Sequence, residues 1–145
     1  MIFNEGWGQF QTEDMTRIVR RLDPNRLIDQ ASGWFDQGGG DFSSLHNYFF
    51  KLFIRPERER ASVLSEFGGY SYREPGHCAK EKLYGYGICK NKKDLEKRFL
   101  ERWSGVRNLI PQGLSASIYT QWTDVEEEVN GVFTYDREVR KIEPF

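Results

Sequence analysis

The chain has 145 residues, a formal net charge of −1, and a composition that is 38% hydrophobic and 15% aromatic. That length suits one domain, residues 1–145, with its own core. The near-zero charge argues against a nucleic-acid binder, which would show a basic stripe. No stretch reaches the roughly 20 apolar residues of a membrane span, and none resembles a signal peptide.

In chain order, Ile2-Phe3-Asn4 reads as the end of a buried strand. Thr12 is placed to cap a helix running to Leu22, with Glu13 and Asp14 in its first turn and Arg20 and Arg21 in its last. Met15, Ile18, Val19 and Leu22 recur at helical spacing, which predicts that this face packs inward. Asp23-Pro24 stops the helix. Arg26 to Ala31 is predicted as a second strand and Ser44 to Tyr48 as a third, with a glycine-rich loop over residues 32–41 between them. Ala61 to Glu66 is a fourth strand. An irregular stretch from Gly68 to Lys90 carries Tyr70, Tyr72, Tyr84 and Tyr86.

The helical pattern is clearest from Asp94 to Ile110, where Leu95, Phe99, Trp103 and Val106 fall at i, i+4, i+8 and i+11. These residues are predicted core. Pro111-Gln112-Gly113 ends the helix, and Leu114 to Tyr119 is a fifth strand. Thr123 to Gly131 reads as a loop whose acidic run, Asp124 to Glu128, is a solvated face. Val132 to Tyr135 follows it.

Cys78 and Cys89 are the only cysteines, too few for a disulfide framework. With His77 they make three possible metal ligands and no fourth, short of the set a structural zinc requires. Free thiols are the expectation, and no metal is assigned.

Strands separated by helices or long loops favour parallel pairing in an α/β architecture. Polar residues cluster where the predicted strands end: Asn4-Glu5, Ser32, His46-Asn47-Tyr48, Glu66 and Gln121-Trp122. In parallel α/β folds chemistry gathers at the carboxyl ends of strands. No glycine-rich phosphate fingerprint is present, so five such strands predict part of a (β/α)8 TIM barrel rather than a doubly wound sheet. Glu5 and Glu66 each terminate a short apolar run and are followed by glycine or by an aromatic and glycine, and a carboxylate pair is the minimal equipment for cleaving a glycosidic bond.

The residues that sharpen this are Phe3-Asn4-Glu5-Gly6-Trp7, Asp23-Pro24-Asn25-Arg26-Leu27, Ala31-Ser32-Gly33-Trp34, His46-Asn47-Tyr48, Ser65-Glu66-Phe67-Gly68-Gly69, Tyr119-Thr120-Gln121-Trp122-Thr123-Asp124-Val125-Glu126, Asn130-Gly131 and Thr134-Tyr135-Asp136-Arg137. In this order and spacing the chain resembles, nearly end to end, the C-terminal part of the catalytic barrel of family 2 glycoside hydrolases, the β-galactosidase and β-glucuronidase group. The resemblance implies strands four to eight of that barrel. It implies that Glu5 is the general acid and base, that Glu66 is the nucleophile, and that Asn4 bonds the sugar 2-hydroxyl. His46 and Tyr48 would line the site near the nucleophile, and Gln121 and Trp122 would floor the sugar pocket. Trp7 and Trp34 are equally readable as packing residues.

In a retaining mechanism the two carboxyl groups stand about 5–5.5 Å apart. Glu66 has to be anionic to attack, and its charge favours the proton that Glu5 must hold first. A carbohydrate is the implied partner. No cofactor is implied; some relatives bind magnesium or sodium near the site, but no ligands here are assignable to either ion. A chain starting at strand four lacks the first half of the barrel. It is therefore expected to be a fragment that needs that half or self-associates through uncovered apolar faces. Without a signal peptide the cytoplasm is favoured, although a missing N-terminus leaves the compartment open. Two other readings compete: a non-catalytic carbohydrate-binding or assembly half-barrel, and an unrelated α/β protein whose Glu5 and Glu66 lie far apart.

Overall fold

The structure, a computed structural model, describes residues 1–143. Its regular elements are helix α1 (Thr12–Leu22), strands β1 (Phe42–Asn47), β2 (Ala61–Gly68), β3 (Tyr70–Ser71) and β4 (Gly87–Ile88), helix α2 (Lys92–Leu109) and strand β5 (Leu114–Thr120). Short 3-10 turns occupy Asn4–Gly6 and Ile110–Gln112. The main sheet is parallel and three-stranded, in the order β1-β2-β5, and β3 and β4 form a separate parallel pair.

This corrects the expected partial (β/α)8 barrel: five consecutive barrel strands do not form. Of the five predicted strands, only those at 42–47, 61–68 and 114–120 enter the main sheet. The segments read as strands at Ile2–Asn4 and Arg26–Ala31 meet in one isolated bridge, Phe3 to Ala31. A barrel wall needs a continuous ladder of backbone bonds, and one bridge does not make a strand. Leu27 is exposed while Ile28 and Ala31 are buried, a burial pattern without the regular alternation of a half-covered strand. Phe133, in the stretch expected to follow the acidic loop, likewise takes part only in isolated bridges, with Thr123 and Arg140.

Chain contacts divide the protein into two compact units. The first holds residues 1–47, 52–66 and 108–117; the second holds residues 48–51, 67–107 and 118–145. In the first unit, β2 is the clearest case of sequence dictating structure. Ser62, Val63, Leu64 and Ser65 are all buried, as expected of a parallel strand covered on both faces. Its core also includes Ile28, Ala31, Leu45, Leu52, Leu109 and Leu114.

Helix α1 has the predicted bounds but not the predicted packing. None of its residues is buried, and Leu22 is 80% exposed. Polar contacts hold it instead: Gln30 Nε2 donates to Thr16 Oγ1 at 2.7 Å, and Arg20 pairs with Asp41 at 2.7 Å. Thr12 does not cap the helix either. Gln11, in a left-handed conformation, precedes it with no side-chain cap bond.

In the second unit, α2 does what its spacing predicts. Leu95 and Phe99 are buried with Cys89 and Ile142, and Tyr70, Tyr72, Tyr119 and Val132 pack against that cluster. Arg102 donates to the carbonyls of Tyr48 and Phe50, both at 2.7 Å.

The acidic run is not uniformly solvated. Asp124 is buried, and its carboxylate meets the Lys141 ammonium at 2.6 Å with both side chains 0% exposed. Lys141 also donates to the carbonyls of Tyr72 and Val129. Such a charge is tolerated inside a protein only when paired and fully hydrogen-bonded. No helix among the described residues is long and apolar enough to cross a membrane.

Candidate active site

The site assembles in the first unit from the backbone outward. Ile2 N–H donates to Asp29 O, Phe3 N–H to Gln30 O, and Ser32 N–H to Phe3 O, at 2.9–3.1 Å. These bonds lay the N-terminal segment beside residues 29–32. The chain then turns sharply at Glu5, whose φ of 55° is in the left-handed region, a conformation that costs a non-glycine residue about 1–2 kcal/mol. Ser32 stabilises the turn: its Oγ accepts from the Glu5 N–H at 3.0 Å and donates to Asn4 Oδ1 at 3.2 Å. Gly6 follows at φ 72°, where a Cβ would overlap the Trp34 carbonyl.

His46 and Glu66 come from β1 and β2. His46 Nδ1 lies 3.4 Å from Glu66 Oε2, and the imidazole side chain is wholly buried. Its ring sits edge-on to Trp34 at 5.5 Å and directly over Gly33, where a Cβ would overlap it. Donor atoms of Glu5, His46 and Glu66 all lie within 4.8 Å of one another. The two carboxylates therefore converge.

Around this trio, the Ser44 hydroxyl lies 2.6 Å from Ser65 Oγ and 3.1 Å from Asp29 Oδ2. These contacts link the 29–32 segment to β1 and β2. Burial pushes the Asp29 carboxyl above its ordinary range, against the opposing bond from Ser44. Trp7 closes the other side, its indole N–H donating to Glu5 Oε2 at 3.1 Å.

Burial also holds His46 below its ordinary value, outweighing the opposite pull of Glu5 and Asp29. That burial favours the neutral imidazole. His77, in the second unit, goes the other way: its bond to Asp136 at 2.7 Å raises it, and Asp136 is held down at about 2 by Thr134, the Glu138 N–H and His77. These are the only two histidines in the chain, so an NMR titration should show one imidazole on each side of about 6.5. The stability contributed by neutral, buried His46 is present above that pH and lost as pH falls toward its depressed value. That of His77 is present below it and lost as pH rises through its raised value. Asp136→Asn should return the upper titration to about 6.5; an unchanged upper value would remove Asp136 as its cause.

The remaining residues singled out by sequence belong to the second unit. The Tyr48 ring stacks on Tyr86 at 4.1 Å and its hydroxyl donates to Thr120 Oγ1 at 3.2 Å. Gln121 donates to Asn130 Oδ1 at 2.7 Å. Trp122 is exposed and leans on Phe133 at 5.1 Å.

Two groups among the described residues place possible metal donors together: Glu5, His46 and Glu66, and His77, Asp136 and Glu138. Neither assigns an ion. The set considered from sequence, His77, Cys78 and Cys89, is dispersed over separate partners. His77 bonds Asp136, Cys78 donates to the Glu74 carbonyl, and Cys89 lies in the core.

Sequence reasoning did not assign roles to Asp29, Ser32, Ser44 or Ser65. Ser32 did stand out as a polar strand-end residue, the one available signal; small hydroxyls on apolar strands carry none. No protein-family model matches the chain, and no curated protein matches it.

Proposed function

We propose that this chain is the catalytic part of a retaining glycosidase, cleaving a terminal glycosidic bond by a two-glutamate double displacement in the manner of family 2 glycoside hydrolases. One observation carries the reading: carboxylate oxygens of Glu5 and Glu66 stand within 4.8 Å of each other. Carboxylates that approach this closely are compatible with the short separation, about 5–5.5 Å, of retaining enzymes.

In the first step, the Glu66 carboxylate attacks the anomeric carbon while the bond to the leaving oxygen breaks, and Glu5 gives its proton to that oxygen. In the second, Glu5, now a carboxylate, takes a proton from water. The water oxygen displaces Glu66 from the anomeric carbon, restoring both residues. His46, buried with Nδ1 3.4 Å from Glu66 Oε2, packs against the attacking carboxylate and limits where it can point. Ser32 occupies Asn4 Oδ1, which leaves the Asn4 amide N–H groups as the end that can donate to a sugar hydroxyl.

The test is hydrolysis of 4-nitrophenyl β-galactoside, β-glucuronide and β-mannoside by this chain and by its Glu66→Gln variant. Turnover that disappears in the variant supports the proposal. Sugar binding without turnover in either protein would favour a carbohydrate-binding module instead.

A further inference from the structure

In the second unit, two distant segments bring one nitrogen donor and two oxygen donors together. His77 lies between β3 and β4, and Asp136 follows it 59 positions later. Donor atoms of His77, Asp136 and Glu138 all stand within 4.8 Å of one another. The imidazole Nδ1 is 2.7 Å from Asp136 Oδ2. Both of these residues are held from behind. The buried Thr134 donates its hydroxyl to the other Asp136 oxygen at 2.6 Å, and the Glu138 N–H donates to that oxygen at 3.1 Å. The His77 N–H closes a turn onto the Glu74 carbonyl at 3.2 Å.

An ion pair between His77 and Asp136 accounts for two of these groups and not for the third. Glu138 is exposed and gives the turn only its backbone N–H, yet its carboxylate converges on the same point. Neighbouring carboxylates repel unless a cation stands between them, and an imidazolium supplies one positive charge at most. Asp136 through its hydrogen bond, then Glu138 and Glu74 through their charge, all favour a cation at the ring. No Lys or Arg among the described residues forms an ion pair with Glu74, Asp136 or Glu138. The surplus negative charge matches a divalent ion.

The donor types narrow its identity. An imidazole nitrogen beside carboxylate oxygens suits zinc, nickel or copper(II), whereas magnesium and calcium take oxygen ligands. Zinc holds such ligands at about 2.0–2.2 Å, which sets pairs of them about 3.4 Å apart. The imidazole and Asp136 then separate by less than about 1 Å, and the exposed Glu138 side chain turns to complete the set.

We propose that His77, Asp136 and Glu138 bind a divalent transition-metal ion of the zinc type, with water completing its coordination. The ion replaces the proton on the imidazole nitrogen, and that proton leaves to solvent. Occupancy ties the segment before β4 to the C-terminal turn and stabilises the folded chain. None of these residues belongs to the Glu5 and Glu66 site, so the proposal stands or falls independently of the glycosidase reading.

The experiment is calorimetric titration of the full chain with zinc chloride and with magnesium chloride, alongside thermal unfolding at each metal concentration. Zinc should bind and raise the unfolding temperature, and magnesium should do neither. NMR of the two imidazoles locates the ion: His77 resonances should move at lower zinc than those of His46, which sits in the other donor group. Glu138→Gln keeps the backbone bonds of the turn and the His77–Asp136 pair. It should weaken zinc binding at least about tenfold, because even the loss of an outer-shell partner costs that much. His77→Ala should abolish binding at this site. An absence of zinc binding, His77 resonances that do not move, magnesium bound as tightly as zinc, or full affinity in Glu138→Gln would each overturn the proposal and leave a plain His77–Asp136 ion pair.

Discussion

Glu66→Gln is expected to lower the hydrolysis of 4-nitrophenyl β-glycosides by on the order of 10⁴-fold or more, since removing a covalent nucleophile eliminates the intermediate instead of weakening a contact. The amide is nearly isosteric, so substrate affinity should change little and the loss should fall on kcat. Glu5→Gln should behave differently. Nitrophenolate leaves without a proton, so formation of the intermediate should survive, while a disaccharide, whose leaving alkoxide needs protonation, should be lost almost entirely. Deglycosylation would also slow, because no base remains to activate water. Steady-state rates on the two leaving-group classes separate the roles. Equal losses on both substrates for both variants would contradict the assignment of Glu5 as acid and Glu66 as nucleophile.

Asp124→Asn is expected to destabilise the chain by about 3–5 kcal/mol, measured by urea unfolding, because it strands a buried ammonium. Lys141 would be left with only the Tyr72 and Val129 carbonyls, at 3.1 and 2.9 Å. Lys141→Met should cost a similar amount, leaving a carboxylate whose remaining described partner is the Gly131 N–H at 2.8 Å. Burial works against both charges: it raises the Asp124 carboxyl and lowers the Lys141 ammonium, while the pair's own attraction opposes each shift. Combining the two substitutions should therefore recover most of the loss, since an uncharged pair no longer bears the desolvation penalty. Single variants within about 0.5 kcal/mol of the parent, the range of an ordinary surface change, would contradict a structural role for the pair. The pair matters locally because it pins the C-terminal segment to the loop that follows Gln121 and Trp122. Lys141 N–H donates to Val132 O, and Val132 and Phe133 in turn donate to Gln121 O and Trp122 O.

Much of this was readable from residue order, for identifiable reasons. Helix α2 announces itself because four apolar residues recur on one stripe, and packing then buries Leu95, Phe99 and Val106. The segments at 42–47, 61–68 and 114–120, free of proline and broken by no interior glycine, pair as parallel strands. Helix α1 shows the limit of periodicity: its spacing marks an apolar face but cannot say whether anything covers it, and Leu22 stays exposed. The segment at 26–31 has strand-like composition, yet only one bridge engages it. Asp124 looked like part of a solvated run because its partner lies 17 positions away, in a tail with no pattern of its own. At the site, the carboxylates were legible through the short motifs around them. The neutral state of His46 and the Ser32 bond that shapes the Glu5 turn depend on burial and on contacts between distant segments, which local patterns do not encode.

In the proposed cycle Glu66 becomes covalently bonded to a sugar while Glu5 manages the proton. Incubation with 2-deoxy-2-fluoro-β-glycosyl fluorides of galactose, mannose and glucuronic acid tests it most directly, because the 2-fluorine slows release of the intermediate while fluoride departs readily. Mass spectrometry of the digested protein should find a single glycosyl adduct on the peptide bearing Glu66. Adduct formation on a different residue, or an unmodified chain with all three reagents, would contradict it.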